Sequence, residues 1–217
     1  MKPRPDPIPR RHDLVWLDAM PSLSKAGDAA AQWFARGLPV VVARRDGALR
    51  ADELSLGIAL PPAQRRQRIA LTAPIATVRA IAPPLRLTQV MDSAPKRWRT
   101  PLCELAESGM AAGIEFRVYG SFAWQHLTGQ RYVHAASDID LLWSPEDRGQ
   151  LERGLMLLPA WERDTGLETD GEIVLSDGAA IAWREVLNPQ RRVLVKYPTS
   201  IALRDKNALL ESLIRAP

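Results

Sequence analysis

Val118-Tyr119-Gly120-Ser121, followed after sixteen residues by Asp138-Ile139-Asp140-Leu141-Leu142, is the stretch on which the reading of this chain turns. Glu115 to Tyr119 alternates in polarity and predicts a strand. Gly120-Ser121 predicts a sharp turn, and Phe122 to Gly129 a short helix ended by glycine. Asp138 to Trp143 predicts a second strand. Side chains alternate across a strand, so Asp138 and Asp140 project from one face while Ile139, Leu141 and Trp143 point the other way, into a core. Two like charges side by side repel. A divalent cation offsets that repulsion, and a hard, all-oxygen site selects Mg²⁺ or Mn²⁺. The strand-to-helix turn places backbone N–H groups at a helix N-terminus, which suits a phosphate. Gly120 lets the backbone come close, and Ser121 adds a hydroxyl donor.

A phosphate cradle beside paired carboxylates spells metal-assisted phosphoryl or nucleotidyl transfer. A third acid from a neighbouring strand usually completes such a ligand set. Asp170 and Glu172 share one face of the next predicted strand, Asp170 to Leu175; Glu172 is preferred because it adjoins the apolar run, with Asp170 the alternative. That strand and Ala179 to Val186 read as a hairpin through Ser176-Asp177-Gly178. The run VLVKY, ending at Tyr197, alternates, and the chain from Thr199 onward reads as helical, with a Leu/Ile stripe.

Working outward, the 217 residues are 46% hydrophobic and 25% charged, an ordinary globular composition that excludes disorder. One cysteine, Cys103, rules out an intrachain disulfide and reads as a buried, inert thiol. No apolar run approaches a membrane span, and the basic start MKPRPDPIPRRHD lacks the apolar core of a secretory leader, so the cytoplasm is the expected compartment. The net charge is +4 and 24 of the 29 basic residues are arginine, pointing to an anionic partner; no basic block marks a nucleic-acid arm.

Pro83-Pro84 reads as a domain edge. Residues 1–84 read as a small α+β module: strands at Leu14 to Leu17, Leu38 to Arg45, Leu54 to Leu60 and Arg68 to Leu71, with a helix over Ser24 to Arg36 capped by Asp28 and a turn at Asp46-Gly47. Arg65, Arg66 and Arg68 form a basic face there, and His12 adjoins Asp13. Residues 85–217 follow a different rhythm: helices from Leu85 to Asp92, from the cap Thr100-Pro101 to about Gly113, and from Ser144-Pro145 to Leu158. Trp124, Trp143, Trp161 and Trp183 read as packing residues, and His126 and His134 as structural or solvent-facing.

The hydrophobic-Gly-Ser, gap, Asp-x-Asp, later-acid pattern resembles the nucleotidyltransferase superfamily of the DNA polymerase β type. RRHDLVWL, YGSFAWQHLTG, SDIDLLW, DGEIVLSDG-AAIAWREV and VLVKY, in that order, resemble one family within it, the phosphoribosyl-dephospho-CoA transferases, or holo-acyl-carrier-protein synthases, of malonate decarboxylase. The resemblance implies an α+β chain: a polymerase-β-like nucleotidyltransferase domain over 85–217, with a mixed sheet flanked by helices, beside an N-terminal module that offers binding surface for the donor or the carrier. It implies 2′-(5″-triphosphoribosyl)-3′-dephospho-CoA as donor, a serine of the apo acyl carrier protein as acceptor, pyrophosphate as leaving group, and no nucleic acid or membrane partner. The family's acidic pair falls on Asp138 and Asp140. Gly120, Ser121, Lys196 and Arg184 are then expected around the triphosphate; for Lys196 the ordinary alternative is a strand-end lysine reaching water, and for Arg184 a salt bridge to Glu185 or Glu172. Two other readings compete: a nucleotidyltransferase using an ordinary NTP on a small molecule, protein or RNA end, and a non-catalytic nucleic-acid-binding module.

Overall fold

The structure, a computed structural model, describes residues 9–19, 21, 27–45, 49–64, 67–134 and 136–212. Apart from the short segment 61–65, the chain divides between Pro83 and Pro84 into two compact units. In the first, β1 (Leu14–Leu17), α1 (Gly27–Ala35), β2 (Val40–Val42), β3 (Glu53–Ala59), β4 (Arg68–Pro74) and β5 (Val78–Ala82) build an antiparallel sheet in the order β4-β3-β2-β1-β5. Strict alternation buries Leu54, Leu56 and Ile58 of β3 and Ile69, Leu71 and Ala73 of β4 on one face. Trp33 of α1 is buried and donates its indole N–H to the Pro39 carbonyl, 2.8 Å away. His12 adopts a left-handed φ of 74° in the turn before β1, with its N–H bonded to Val42 O, so its place is structural. The Asp46-Gly47 turn, Arg65, Arg66 and the first residues of the expected helix, 24–26, lie outside the described residues.

The second unit runs β6 (Leu85–Arg86), α2 (Leu87–Val90), α3 (Lys96–Ala111), β7 (Arg117–Val118), α4 (Gly120–Thr128), β8 (Ile139–Trp143), α5 (Arg148–Thr165), β9 (Thr169–Val174), β10 (Ala180–Ala182), α6 (Trp183–Leu187), β11 (Arg192–Lys196), β12 (Ile201–Asp205) and α7 (Lys206–Ser212). Its seven strands lie in the order β12-β11-β10-β9-β8-β7-β6. Every pair is antiparallel except β8 with β9, which α5 connects as a parallel crossover, so the sheet is mixed and the chain is α+β. Ile139, Leu141 and Trp143 of β8, Ile173 of β9 and Ile181 of β10 join Trp98, Leu102 and Leu105 of α3 and Leu151 and Leu158 of α5 in one buried core. Edge-to-face rings join α3 to α4, Trp98 on Phe122, and the residue before β7 to β8, Phe116 on Trp143.

Several expectations are corrected. Leu85-Arg86 forms a strand paired with β7, and the helix waits until Leu87, where the Gln89 side chain accepts from the Arg86 N–H; the preceding prolines favour an extended entry. Helix α3 begins at Lys96 after Pro95, leaving Pro101 inside it, where its carbonyl accepts the Trp161 indole N–H at 2.8 Å. α5 starts after Asp147, whose carboxylate caps the Gln150 N–H, and runs on to Thr165. The second arm of the predicted hairpin ends at Ala182, because Trp183 and Val186, three apart, are buried together as a helical turn. The stretch after Thr199 is not helical at first: Ile201–Asp205 pairs along its length with β11, and only Lys206–Ser212 is helix. Asp205 closes that strand, its carboxyl held below its ordinary range first by a hydrogen bond from Arg191 and then by the Ala208 N–H. Cys103 is exposed. Among the described residues no helix is long and apolar enough to cross a membrane.

One contact governs the parallel pairing of β8 with β9. Gly171 lies opposite Leu141, and a Cβ at Gly171 would collide with the Leu141 backbone. A clash with main chain cannot be relieved by a rotamer change. Gly171→Ala is therefore expected to cost about 2–4 kcal/mol of stability, read as a lowered thermal midpoint against wild type; an unchanged midpoint would show that β8 and β9 do not pair this closely.

Candidate active site

Three elements converge on the acids. Asp140 stands on β8 and Asp138 immediately before it; the parallel register sets Asp170 of β9 directly beside Asp140. One carboxylate oxygen from each of Asp138, Asp140 and Asp170 lies within 4.8 Å of the others. Asp138 and Asp170 are exposed and Asp140 half-buried. Such a cluster of oxygen donors fits a hard divalent cation, which would also relieve the repulsion among the charges.

The turn from β7 into α4 comes down on this cluster. Gly120 has φ 65°, and a Cβ there would run into the Asp140 carboxylate. The Tyr119 N–H bonds to Asp140 O at 3.1 Å, fixing the turn to β8. The Tyr119 side chain makes no capping bond to the first turn of α4, and Ser121 is exposed there. The helix start puts a partial positive end beside the carboxylates, as a polyphosphate bridging both would require. Gly120, Ser121, Asp138 and Asp140 are thus brought together.

Glu172 is not with them. It is 2% exposed and lies two positions further along β9, where Lys196 of β11 reaches it with Nζ–Oε1 2.7 Å. Ala182 stands opposite Glu172 and Ala180 opposite Lys196, so the lysine crosses β10 over small side chains. The preference for Glu172 as third ligand is therefore corrected in favour of Asp170: a buried carboxylate needs a partner inside the protein, and Glu172 has one. The position between the two acids carried the missed signal. A glycine inside a strand marks a close backbone approach, and Gly171 is what sets Asp170 against Asp140.

The expected cations are also engaged within the fold. Lys196 holds Glu172. Arg184 bonds Glu162 at 2.6 Å and the Thr169 carbonyl at 2.8 Å, and its guanidinium stacks 4.3 Å over the Trp183 ring. Glu162 is its salt-bridge partner, rather than Glu185 or Glu172. Glu185 instead accepts the Leu194 N–H. Trp124, Trp143, Trp161 and Trp183 are all buried.

The model for the phosphoribosyl-dephospho-CoA transferase MdcG C-terminal domain matches residues 85–207, and the model for the MdcG N-terminal domain matches residues 10–84. A phosphoribosyl-dephospho-CoA transferase of Xanthomonas campestris pv. campestris is 44% identical over 203 residues, spanning 92% of this chain and 95% of its own. One from Bradyrhizobium diazoefficiens is 34% identical over 94% of each chain, and one from Pseudomonas putida 31% identical over 89% of this chain and 96% of its own. No solved structure matches the chain.

The Glu172–Lys196 pair yields a direct test. Lys196→Met removes the ion-pair partner of a buried carboxylate and is expected to cost about 2–3 kcal/mol at neutral pH, the usual loss for a broken buried pair discounted because Lys196 is partly exposed. Adding Glu172→Gln should recover much of that loss in chemical denaturation. Additive losses in the double variant would mean that the two side chains do not interact.

Proposed function

The chain belongs to the phosphoribosyl-dephospho-CoA transferase family and is a transferase, and from that premise we propose the reaction it carries out. It transfers the phosphoribosyl-dephospho-CoA group from 2′-(5″-triphosphoribosyl)-3′-dephospho-CoA to a serine of the apo acyl carrier protein of malonate decarboxylase. The serine oxygen bonds to the α-phosphorus, the bond from that phosphorus to the bridging oxygen of the β-phosphate breaks, and pyrophosphate leaves with that electron pair. The observation that carries the reading is the meeting of the Gly120 turn with the Asp138, Asp140 and Asp170 carboxylates.

Each group then has a role. Asp138, Asp140 and Asp170 would hold Mg²⁺ or Mn²⁺. When bound, that cation supplies positive charge against the triphosphate and favours deprotonation of the attacking hydroxyl. The first amides of α4 and the Ser121 hydroxyl donate to phosphate oxygens, where charge builds as pyrophosphate separates. A carboxylate of the cluster is placed to take the serine proton. Lys196 and Arg184, both bonded inside the fold, act by shaping the sheet face rather than by gripping phosphate. The second unit is read as a nucleotidyltransferase domain of the polymerase β type; a mixed sheet, a Gly-Ser turn over an Asp-x-Asp strand and a third acid on the adjacent strand support that reading.

Incubation with the triphosphoribosyl donor and apo carrier is expected to add the prosthetic group's mass to the carrier and release pyrophosphate. Pyrophosphate release from ATP with no carrier modification would favour the ordinary-NTP reading instead. Asp138→Asn, Asp140→Asn and Asp170→Asn should each slow transfer by about a hundredfold or more. Without metal they should melt at or above the wild-type temperature, because repulsion is relieved. Mg²⁺ should raise the midpoint of the wild type more than that of the variants. Wild-type rates in Asp138→Asn and Asp140→Asn would overturn the site.

A further inference from the structure

Away from the carboxylates, the second unit contains a cavity of about 710 Å³ whose walls include Arg97, Gln125, Arg131 and His134. That size lies within the range of small-molecule sites. Among the described residues the lining includes two arginines and a histidine and no acidic residue. Arginine pairs with phosphate through forked, charge-assisted hydrogen bonds. The chemistry of the wall therefore selects a compact anion.

The walls are held in place by bonds inside the protein. The Gln125 side chain donates to the Ser93 carbonyl at 2.6 Å and accepts the Tyr132 and Val133 N–H groups at 3.0 and 3.1 Å. One side chain thus joins the segment leading into α3 to the loop that follows α4. Ser93 also bonds His126 Nδ1 at 2.9 Å. At His134, Nδ1 accepts the Ala136 N–H, which leaves the proton of the neutral ring on Nε2 as a donor. A preformed wall spares a ligand the cost of ordering it.

The cavity is also close in chain distance to the reaction site. His134 and Ser137 are tied by two hydrogen bonds, and Asp138 follows directly. Four residues span at most about 14 Å even fully extended. In the donor, two ribose rings separate the reacting α-phosphate from the 5′-diphosphate of the dephospho-CoA moiety. That diphosphate must therefore be bound apart from the carboxylates, on a surface of opposite charge.

Resting on the transfer reaction proposed above, we propose that this cavity binds the 5′-diphosphate of the donor's dephospho-CoA moiety, with Arg97 and Arg131 as its phosphate ligands and His134 as a further donor. It makes the cavity the specificity site for a CoA-type donor over a simple nucleoside triphosphate.

The probe is 3′-dephospho-CoA, which lacks the triphosphate and tests the cavity alone. Calorimetry should show binding to the wild type, weakened about tenfold or more in Arg97→Gln/Arg131→Gln, the scale of a lost charge-assisted hydrogen bond. Circular dichroism and a thermal melt confirm that the variant is folded; should it fail to fold, the single Arg131→Gln variant carries the same comparison. In transfer assays the variant should raise KM for the donor while leaving KM for the carrier near wild type. Equal dephospho-CoA affinity in wild type and variant overturns the assignment, as does a wild type that transfers the group yet does not bind dephospho-CoA; the transfer reaction survives both outcomes. A rise in the carrier's KM alone overturns it too and gives the cavity to the carrier. A wild type that neither binds dephospho-CoA nor transfers the group overturns the reaction and the cavity assignment together.

Discussion

The site depends on a shared volume: the Asp140 carboxylate fills the space that a side chain at residue 120 would need. Glycine at 120 lets the turn from β7 into α4 descend onto the sheet, and the bond from Tyr119 N–H to Asp140 O locks it there. Without that approach the amides of α4 and the acids of β8 and β9 would be separate features, each of little consequence. Together they set a partly positive helix end against a concentrated negative charge. The proposed triphosphate with a counter-cation would satisfy both at once.

A second close approach acts on the same centre from below. Gly171 allows β9 to lie parallel and tight against β8, and the register then places Asp170 beside Asp140. Three carboxylates of like charge are costly to gather, and nothing in their own chemistry favours the arrangement. The cost is met by the core on the other face, where Ile139, Leu141, Trp143 and Ile173 are buried against α3 and α5. The alternation that sends those residues inward sends Asp138, Asp140 and Asp170 outward. Burial on one side of the sheet thus stabilises repulsion on the other.

Local pattern carried much of this reading and long-range pairing the rest. Leu14–Leu17 and the α4 segment up to its glycine end were legible because periodicity and turn chemistry agree there. So was the placement of Asp138 and Asp140, which needs only a strand's period of two. The third acid was ambiguous for a physical reason: Asp170 and Glu172 are equivalent by alternation, and only the register between β8 and β9 and the reach of Lys196 distinguish them. The strand at Ile201–Asp205 was hidden because a few apolar residues in a short segment fit either period. It becomes a strand through β11, which sits beside it in space.

Burial also separates the acids by role. Glu172 lies within the sheet and is paired there with Lys196. Asp138 and Asp170 face water, which screens their mutual repulsion and leaves their oxygens open to a ligand. The cations follow the same logic. Lys196 and Arg184, the basic residues nearest these strands by sequence pattern, are held by Glu172 and Glu162. They neutralise the protein's own acids and leave the Asp138–Asp140–Asp170 charge uncompensated by them. On the reading proposed here, positive charge for a donor would come from elsewhere: from the helix end at Gly120, from a cation held by the three aspartates, and from the arginines of the proposed diphosphate site.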